Sequence, residues 1–275
     1  MTQLQVSEKD YSRFKEYLEK QCGIVLGDNK QYLVQSRMGR VLREAHISHF
    51  TDLLNKLESR SNSDLRQKTI DAMTTNETLW FRDVHPFEYF QNTLLPGLLK
   101  DKSRIRIWCA ACSSGQEPYS LSMIIEEMIA KGLINSRVSI EILATDISSE
   151  ILSAAKEGYY SRLALGRGLS PKRMDQFFEK QGLDWRLIDK VRNRVKFTQL
   201  NLKDLYSGLG KFDIVFCRNV LIYFSAEFKT DILRKIHGQL NSGGALFLGA
   251  SESLSGLKDH YEMHQYKPGI VYFAH

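Results

Sequence analysis

The sequence predicts an α/β fold in which a bundle of helices precedes an open parallel sheet, and the sheet carries a small inserted β-subdomain. Three observations lead to this fold class. An apolar strand at 105–108 breaks into a small-residue turn that opens a helix, strands and helices then alternate towards the end of the chain, and the first 76 residues show only helical periodicity. With 275 residues, of which 43% are hydrophobic, the chain can bury the core of one large domain or two smaller ones.

The first 76 residues have the pattern of a small helix bundle. Apolar residues recur at helical spacing in four stretches, which are 11–22, 32–45, 50–57 and 65–73. Glycines and polar residues separate these stretches, with Gly23 and Gly27 after the first. We therefore predict an N-terminal helical domain over residues 1–76, a linker over 77–87 and an α/β domain over 88–275.

Three arginines lie three residues apart on the second predicted helix: Arg37, Arg40 and Arg43. This spacing places them on roughly one face of the helix, and a net charge of +6 implies an acidic partner. One interpretation is an ordinary solvated helix face. The other is a row of guanidinium groups, here called the arginine row, that binds carboxylates or phosphates.

The linker has an unusual mixture of hydroxyl, amide and aromatic residues between Thr74 and Asp83. Its aromatic residues fill the seam between the domains in one interpretation. In the other, the polar groups that a ligand would meet there are those of Asn76, Thr78 and Arg82.

Directly after the strand at 105–108, the chain turns at 110–115 on residues with little side-chain bulk. Such a turn lets a ligand approach the backbone, and the following helix points unpaired N–H groups towards it. The glycine pattern of a dinucleotide site is lacking, since Ala110 and Cys112 stand where glycines are expected and only Gly115 is present. This argues against NAD and leaves open a nucleoside ligand without phosphates, such as S-adenosylmethionine.

Polar residues also follow two later strands. The predicted elements after the turn are strands at 138–144, 212–217, 244–249 and 269–274, and helices at 149–156 and 227–240. Asp146 follows the first of these strands and Asn219 follows the second. Ligands of such sheets bind beyond the carboxyl ends of the strands, where an acid can accept hydrogen bonds from ribose hydroxyls. An Asp after a strand is as often a helix cap, but the coincidence of three strand ends, with Gly115 at the first, favours the ligand site.

Between residues 158 and 200 the alternation of strands and helices stops. Strand-like segments at 185–188 and 194–200 do not continue a simple βαβ pattern. We therefore predict an inserted β-subdomain over 158–200, and long excursions of this kind are often binding devices.

The cysteines and the hydropathy pattern indicate an intracellular protein. Cys22, Cys109, Cys112 and Cys217 lie in apolar or small-residue surroundings, as reduced core thiols do, and no second Cys/His pair completes a zinc site, so we predict no metal. No apolar run approaches the roughly 20 residues needed to cross a bilayer. The polar start of the chain is not a signal peptide. We expect a cytoplasmic protein that does not insert into the membrane.

Five blocks of sequence together carry a family resemblance. They are Thr74–Arg82, Cys112–Ser120, Ala144–Asp146, Asn201–Leu202 and Phe216–Phe224. In these blocks, and over nearly its whole length, the chain resembles the CheR family of chemotaxis receptor methyltransferases. The resemblance implies a Rossmann-like S-adenosylmethionine-dependent methyltransferase domain. It implies an enzyme that methylates glutamate side chains of methyl-accepting chemotaxis receptors, forming glutamyl methyl esters.

The resemblance also implies site residues. The cofactor contacts would fall on Asn76, Thr78, Arg82, Glu117, Asp146, Asn201, Leu202, Asn219 and Val220. The chemistry of the implied reaction adds two candidates for holding the reacting carboxylate: Arg82, by a charge-assisted hydrogen bond, and Tyr223, by its phenol. The alternatives are that Arg82 caps the linker and that Tyr223 packs in the core.

The implied receptor substrate gives the arginine row a role, because the methylation helices of such receptors bear glutamates that Arg37, Arg40 and Arg43 could bind. Family members also use the inserted subdomain to dock on a receptor's C-terminal peptide, in some cases by strand addition. The resemblance thus implies recruitment to receptor arrays at the membrane. A nucleic-acid methyltransferase is disfavoured, since no Asn/Asp-Pro-Pro-Tyr segment or catalytic cysteine loop occurs. A non-enzymatic S-adenosylmethionine sensor is the other alternative, and retention of Arg82 and Tyr223 argues against it.

Overall fold

The computed structural model describes residues 5–59, 62–254 and 256–275, and its N-terminal part is a bundle of helices. The helices of the bundle are α1 Glu8–Cys22, α2 Gln31–Glu44, α3 Phe50–Glu58 and α4 Ser63–Met73. Helix α1 begins where the Ser7 side chain accepts a hydrogen bond from the backbone N–H of Asp10, and it ends at Gly23, which has a φ of 78°. The buried faces share a core of their own around Phe14 and Leu53.

Residues 74–84 run from the bundle to the α/β part without helix or strand. They lead into helix α5 His85–Tyr89, a π-helical segment Phe90–Leu94 and helix α6 Leu95–Asp101. The linker is anchored by Trp80, which is fully buried and packs edge-on against Tyr160 and Phe178. Both partners belong to the insertion, and Trp80 is part of the α/β core, so it packs within the α/β part and not in the seam with the bundle.

The remaining elements of the α/β part follow in chain order. The strands are β1 Arg104–Ala110, β2 Ser139–Asp146, β3 Tyr159–Ser161, β4 Phe178–Gln181, β5 Asp184–Leu187, β6 Val195–Gln199, β7 Phe212–Cys217, β8 Leu240–Leu248, β9 Tyr261–Tyr266 and β10 Gly269–Ala274. The helices are α7 Gln116–Ala130, α8 Ser149–Glu157, α9 Arg162–Leu165, α10 Pro171–Phe177, α11 Asp189–Arg192 and α12 Ala226–Gln239.

The central sheet has the strand order β6-β2-β1-β7-β8-β10-β9. Strands β6, β2, β1, β7 and β8 are parallel, whereas β10 is antiparallel to both of its neighbours. From β1 the chain adds β2 and β6 on one side of the sheet and then returns to add β7 to β10 on the other side. The strand order therefore reverses between β1 and β7. Open α/β sheets bind ligands at such a reversal, beyond the carboxyl ends of the strands.

Helices cover both faces of this sheet. Helix α7 packs on one face through apolar residues such as Leu121, Ile124 and Ile125, and it is buried over most of its length. Helix α12 covers the opposite face through Ile232, Leu233 and Ile236. The predicted α/β fold with an N-terminal helical bundle is confirmed.

The insertion differs in one respect from the sequence prediction. Strands β3, β5 and β4 form a small antiparallel sheet of their own, as expected of an inserted β-subdomain. The strand-like segment at 194–200, which we expected within the insertion, is instead β6, an edge strand of the central sheet that pairs in parallel with β2. Alternation was hard to recognise because the whole insertion lies in the crossover between β2 and β6.

A second difference lies near the end of the chain, where the sequence analysis missed strand β9. Its side chains are mostly exposed, as an edge strand allows, so it lacks the apolar pattern that identifies a buried strand. Among the described residues, no helix is long and apolar enough to span a membrane, and no cluster of His, Cys, Asp or Glu is arranged to hold a metal ion.

Candidate functional site

A cleft with a cavity of about 190 Å³ lies where the bundle, the linker and the carboxyl ends of the strands meet. Most of the side chains that the sequence analysis selected line it. They are Arg37, Asn76, Thr78, Arg82, Glu117, Asp146, Asn201, Leu202, Asn219, Val220 and Tyr223. Arg40 and Arg43 do not line the cleft. Residues that are far apart in the chain therefore share one concave site, which is the usual form of a small-molecule site.

Asp146 lies at the carboxyl end of β2 and is nearly buried. Its Oδ2 accepts a hydrogen bond of 2.8 Å from the backbone N–H of Ser113, and its Oδ1 accepts one of 3.0 Å from that of Ser148. Burial raises the pKa of Asp146, and these backbone donors limit the rise. The cap of α8 is Ser148, so Asp146 does not serve as the helix cap. Its oxygens keep lone pairs that ligand hydroxyls can use.

The turn after β1 adopts an uncommon backbone conformation. Ala111 and Ser113 have φ values of 58° and 51°, and Gly115, with a φ of 90°, directly precedes α7. A side chain at Gly115 would also press against Tyr119. Further non-glycine residues with positive φ lie in the linker and at Asn219. Strained backbone of this kind persists where the surroundings hold it, often at ligand sites.

Glu117, in the first turn of α7, is largely buried and paired with a buried cation. Its Oε2 accepts a hydrogen bond of 2.9 Å from Nη1 of Arg218, which follows β7. Nη2 of Arg218 donates to Asp83 Oδ2 at 2.6 Å and to the carbonyl of Arg82 at 3.0 Å. Burial raises the pKa of Glu117, and the charge of Arg218 and its hydrogen bond oppose that rise.

Asn219 is held at the end of β7 by a carboxylate from the neighbouring strand end. Glu252 accepts hydrogen bonds from the backbone N–H groups of Asn219, Leu221 and Gly249 at 2.7 to 2.8 Å. A side chain at Gly249 would collide with Asn219, since its Cβ would stand 2.8 Å from Nδ2. The glycine is therefore required for Asn219 to keep this position.

Asn201 lines the cleft, but its side chain already has partners. Nδ2 donates to the carbonyl of Gln21 at the end of α1 at 2.8 Å, and Oδ1 accepts from the backbone N–H of Lys203 at 3.0 Å. Its side chain thus joins the bundle to the α/β domain. The adjacent Leu202 is buried in the core on the α12 face.

The linker borders the cleft with several polar groups. Ser113 Oγ donates to the carbonyl of Asn76 at 2.9 Å, which fixes the linker to the turn after β1. Arg82 is half-buried, and its Nη1 donates to the carbonyl of Glu77 at 3.3 Å. Thr78 lines the cleft between them.

Tyr223 lies in a short 3₁₀ segment, Leu221–Tyr223, that follows β7. It is half-buried and lines the cleft, so it is not a core residue. Its carbonyl accepts a hydrogen bond of 2.9 Å from the backbone N–H of Val25 in the bundle. Within the described part of the chain, its phenol oxygen has no hydrogen-bond partner.

The prediction that Arg37, Arg40 and Arg43 share one face is wrong. Residues three apart on an α-helix are displaced by about 60° around its axis, so the first and the last diverge. Arg37 turns inward and donates to the carbonyl of Met73 at 2.7 Å and that of Thr74 at 3.1 Å. Arg40 pairs with Glu44 at 2.7 Å and faces Glu150 of α8 at 3.7 Å. Arg43 is exposed.

All four cysteines are buried free thiols, and Cys22 and Cys112 line the cleft. Burial raises the pKa of each thiol, that of Cys22 to about 11. At neutral pH they are therefore protonated and poor nucleophiles.

Two further residues contribute to the site without having been selected from the sequence. Arg218, within the block Phe216–Phe224, lines the cleft, and Glu252, which follows β8, holds the backbone of Asn219. Inspecting every polar residue within a few positions of a strand end would have found both of them.

Two family models match the chain. The model described as "CheR methyltransferase, all-alpha domain" matches residues 9–74, and the model described as "CheR methyltransferase, SAM binding domain" matches residues 76–270. Together with the fold and the cleft, these matches define an S-adenosylmethionine-dependent methyltransferase.

Curated relatives match over the full chain. It is 52% identical to Chemotaxis protein methyltransferase 1 of Pseudomonas aeruginosa, over 98% of this chain and 100% of the relative. It is 51% identical to Chemotaxis protein methyltransferase 1 of Vibrio cholerae, over 99% of both chains. It is 50% identical to Chemotaxis protein methyltransferase Cher2 of Pseudomonas putida, over 96% of this chain and 98% of the relative. The chain belongs to the CheR methyltransferase family.

The cleft suits S-adenosylmethionine in the chemistry of its groups. Asp146 lines the cavity together with the apolar residues Ile147 and Leu202, and a carboxylate with apolar side chains suits a ligand that has ribose hydroxyls and an adenine ring. Glu117 adds a second carboxylate and Arg82 a guanidinium to the lining of the same cavity. The chemistry of the cleft is thus compatible with the cofactor of this family.

Proposed function

We propose that this protein transfers a methyl group from S-adenosylmethionine to glutamate side chains of chemotaxis receptors, forming glutamyl methyl esters. The observation that carries the proposal is that Arg82 and Tyr223 border the same cleft as Asp146 and Glu117. Two groups suited to a substrate carboxylate thus share one cavity with the acids suited to the cofactor. The names of the relatives support a substrate from the chemotaxis system.

The proposed cofactor contacts divide by charge. Asp146 accepts hydrogen bonds from the ribose hydroxyls, with Ile147 and Leu202 beside the adenine. Glu117 faces the ammonium group of the methionine part. Asn76, Thr78, Asn219 and Val220 complete the enclosure. The side chain of Asn201 is already hydrogen-bonded to Gln21 and Lys203. Asn201 therefore contributes to the cofactor site through its backbone and by joining the bundle to the α/β domain.

The reaction needs no general base, since a glutamate with a pKa near 4.3 is already ionised at pH 7. When bound, S-adenosylmethionine supplies a sulfonium methyl group; the glutamate oxygen bonds to its carbon while the carbon–sulfur bond breaks with its electrons going to sulfur. The protein must therefore align the carboxylate and remove its water. Arg82 orients the carboxylate by a charged hydrogen bond, and the phenol of Tyr223 donates a second one.

A receptor helix would approach the open side of the cleft. Of the three arginines, Arg43 is free to meet its acidic side chains, whereas Arg37 supports the linker and Arg40 is paired with Glu44. Docking of a receptor C-terminal peptide on the β3-β5-β4 sheet, and recruitment to receptor arrays at the membrane, belong to the same proposal.

The test uses tritium-labelled S-adenosylmethionine with receptor-containing membranes. We expect label in the receptor that base releases as volatile methanol, because carboxyl methyl esters hydrolyse in base. Base-stable label would indicate methylation of nitrogen. Cofactor binding without any transfer, to receptors or to nucleic acid, would favour a sensor of S-adenosylmethionine.

A further inference from the structure

Arg218 connects the two sides of the cleft. It follows β7, its side chain is 1% exposed, and both of its terminal nitrogens have partners. One nitrogen donates to Glu117 on α7, and the other donates to Asp83 and to the carbonyl of Arg82 in the linker. Phe87 covers the guanidinium, with Cζ 5.8 Å from the ring centroid.

We propose that Arg218 is a positioning residue that keeps Glu117 ionised and fixes the linker backbone at Arg82, so that both act from one rigid frame. The planar guanidinium fork can make these contacts at once, which a lysine cannot. A buried carboxylate without a paired cation would take up a proton instead of keeping its charge. The inference rests on the proposed roles of Glu117 and Arg82.

The surroundings of Glu117 support this assignment. Arg218 is its direct cationic partner, and Arg82 acts on it from the linker. Glu252 faces it from the end of β8, and the thiols of Cys109, Cys112 and Cys217 lie nearby on the sheet side. Except for Arg82 and Arg218, these groups are acidic or neutral, so the charge of Glu117 depends mainly on Arg218.

The experiment measures the dissociation constant of S-adenosylhomocysteine by calorimetry from pH 5 to pH 9. Four variants are compared with the wild type: Arg218→Gln, Glu117→Gln, the double variant, and Arg194→Gln. The last is a control, because Arg194 is also largely buried and pairs with a buried glutamate of α7, Glu126, which lies outside the cleft and also pairs with Lys190. Circular dichroism and thermal melting report folding.

We expect wild-type affinity to fall as the pH decreases through the raised pKa of Glu117, because protonation removes the charge that meets the ammonium group. Arg218→Gln raises this pKa further, so the loss begins at a higher pH, and affinity at pH 7 falls by about tenfold or more. The double variant should lose less than the product of the two single effects. Arg194→Gln should lower the melting temperature without moving the pH profile.

Two outcomes distinguish a wrong role for Arg218 from a wrong role for Glu117. If Glu117→Gln weakens binding while Arg218→Gln leaves the pH profile in place, Arg218 is only a structural residue. If Glu117→Gln binds normally at every pH, the proposed cofactor role of Glu117 itself is wrong.

Should Arg218→Gln fail to fold, Arg218→Lys keeps the proposal testable. The lysine retains the charge beside Glu117 but cannot hold the linker, so we expect a nearly unchanged pH profile with turnover at least about tenfold lower at saturating cofactor. Wild-type turnover in this variant would overturn the linker half of the proposal.

Discussion

Asp146 and Glu117 illustrate how single residues prepare the cleft for a ligand with both polar and charged groups. Burial raises the pKa of each carboxyl, and each is held by donors that favour the ionised form. Asp146 relies on backbone N–H groups, and Glu117 relies on the guanidinium of Arg218. The two acids of the cavity are therefore stabilised by different donors.

Replacing Asp146 should weaken cofactor binding without unfolding the protein. Asp146→Ala removes the proposed acceptor of the ribose hydroxyls, and losing a charged hydrogen bond costs roughly 1.5 to 3 kcal/mol. Calorimetry with S-adenosylhomocysteine measures the loss. Asp146 also accepts a hydrogen bond from the backbone N–H of Ser113. A second variant, Asp146→Asn, therefore removes the charge while it keeps the size of the side chain. An unchanged dissociation constant in a folded Asp146→Ala variant would refute the assignment.

Replacing Arg82 should reduce turnover far more than cofactor affinity, if its guanidinium orients the reacting carboxylate. Arg82→Lys should restore only part of the rate, since a point charge cannot reproduce the planar fork. Initial rates at saturating S-adenosylmethionine provide the measurement. A rate within about threefold of wild type, equivalent to less than ~1 kcal/mol, would contradict a role in the reaction.

At the scale of elements, side chains at strand and helix ends complete hydrogen bonding that the backbone alone leaves open. At the start of β7, Asp213 is nearly buried and accepts hydrogen bonds from Lys102 at 2.5 Å, from the backbone N–H of Arg106 at 2.9 Å and from Asn241 at 2.8 Å. Burial by itself raises the pKa of Asp213, but these three donors outweigh it and hold the pKa below its usual value. The acid thus joins the start of β7 to β1 and β8.

The stability contributed by Asp213 should depend on pH with a definite sign. Because its folded pKa is lowered, the contribution is present above the unfolded pKa of about 3.9 and disappears as the pH falls through the folded value. Asp213→Asn should lower the free energy of unfolding at pH 7 by about 1 to 3 kcal/mol, and the difference should shrink at pH 3. Urea titrations at both pH values test this. Asp231→Asn, from the more exposed pair with Lys235, should change stability by less than about 0.5 kcal/mol.

Helix α2 separates its arginines by function, so charge reversals along it should have different effects. Arg37→Glu removes the support of Met73 and Thr74 and should weaken binding of S-adenosylhomocysteine. Arg43→Glu leaves the cleft intact and should lower only kcat/KM for receptors, more at low salt than at high salt, because surface charges are screened over about 8 Å at physiological ionic strength. Kinetics and calorimetry on both variants distinguish the two effects. If Arg43→Glu and the wild type show equal receptor kinetics at low salt, receptors are recognised through residues other than Arg43.

At the scale of the whole molecule, the cleft exists only because the bundle docks on the α/β domain. The segment after α1 forms an antiparallel bridge between Ile24 and Phe224, and Gln21 accepts a hydrogen bond from Asn201. Cys22, Val25 and Leu26 line the cleft from the bundle side. A ligand that fills the cleft would therefore meet residues of both domains.

Cofactor binding should therefore protect part of the bundle from hydrogen exchange. With S-adenosylhomocysteine at 100 times its dissociation constant, amides at 22–26 that exchange by opening of the cleft should slow by up to about 100-fold. Helix α3 is a control within the same bundle, because none of its residues lines the cleft. Protection confined to residues beyond 100 would show that the bundle does not take part in cofactor binding.

The sequence by itself determined the order of elements wherever one physical signal dominated. Helical periodicity identified the four helices of the bundle, and buried apolar runs identified β1, β2 and β7. Polar residues at strand ends, together with the family motifs, selected side chains that prove to share one cleft. These signals are local, or they follow from the rule that parallel strands end on the same edge of a sheet.

Only the tertiary structure decided how distant groups pair. That Arg37 supports the linker, that Asn201 holds α1, and that Arg218 joins Glu117 to Asp83 depends on side chains from separate elements meeting after folding. Strand β9 and the place of β6 were likewise settled by pairing across the sheet. Periodicity records which face of an element is buried, but it carries no information about which residue lies on the other side of the contact.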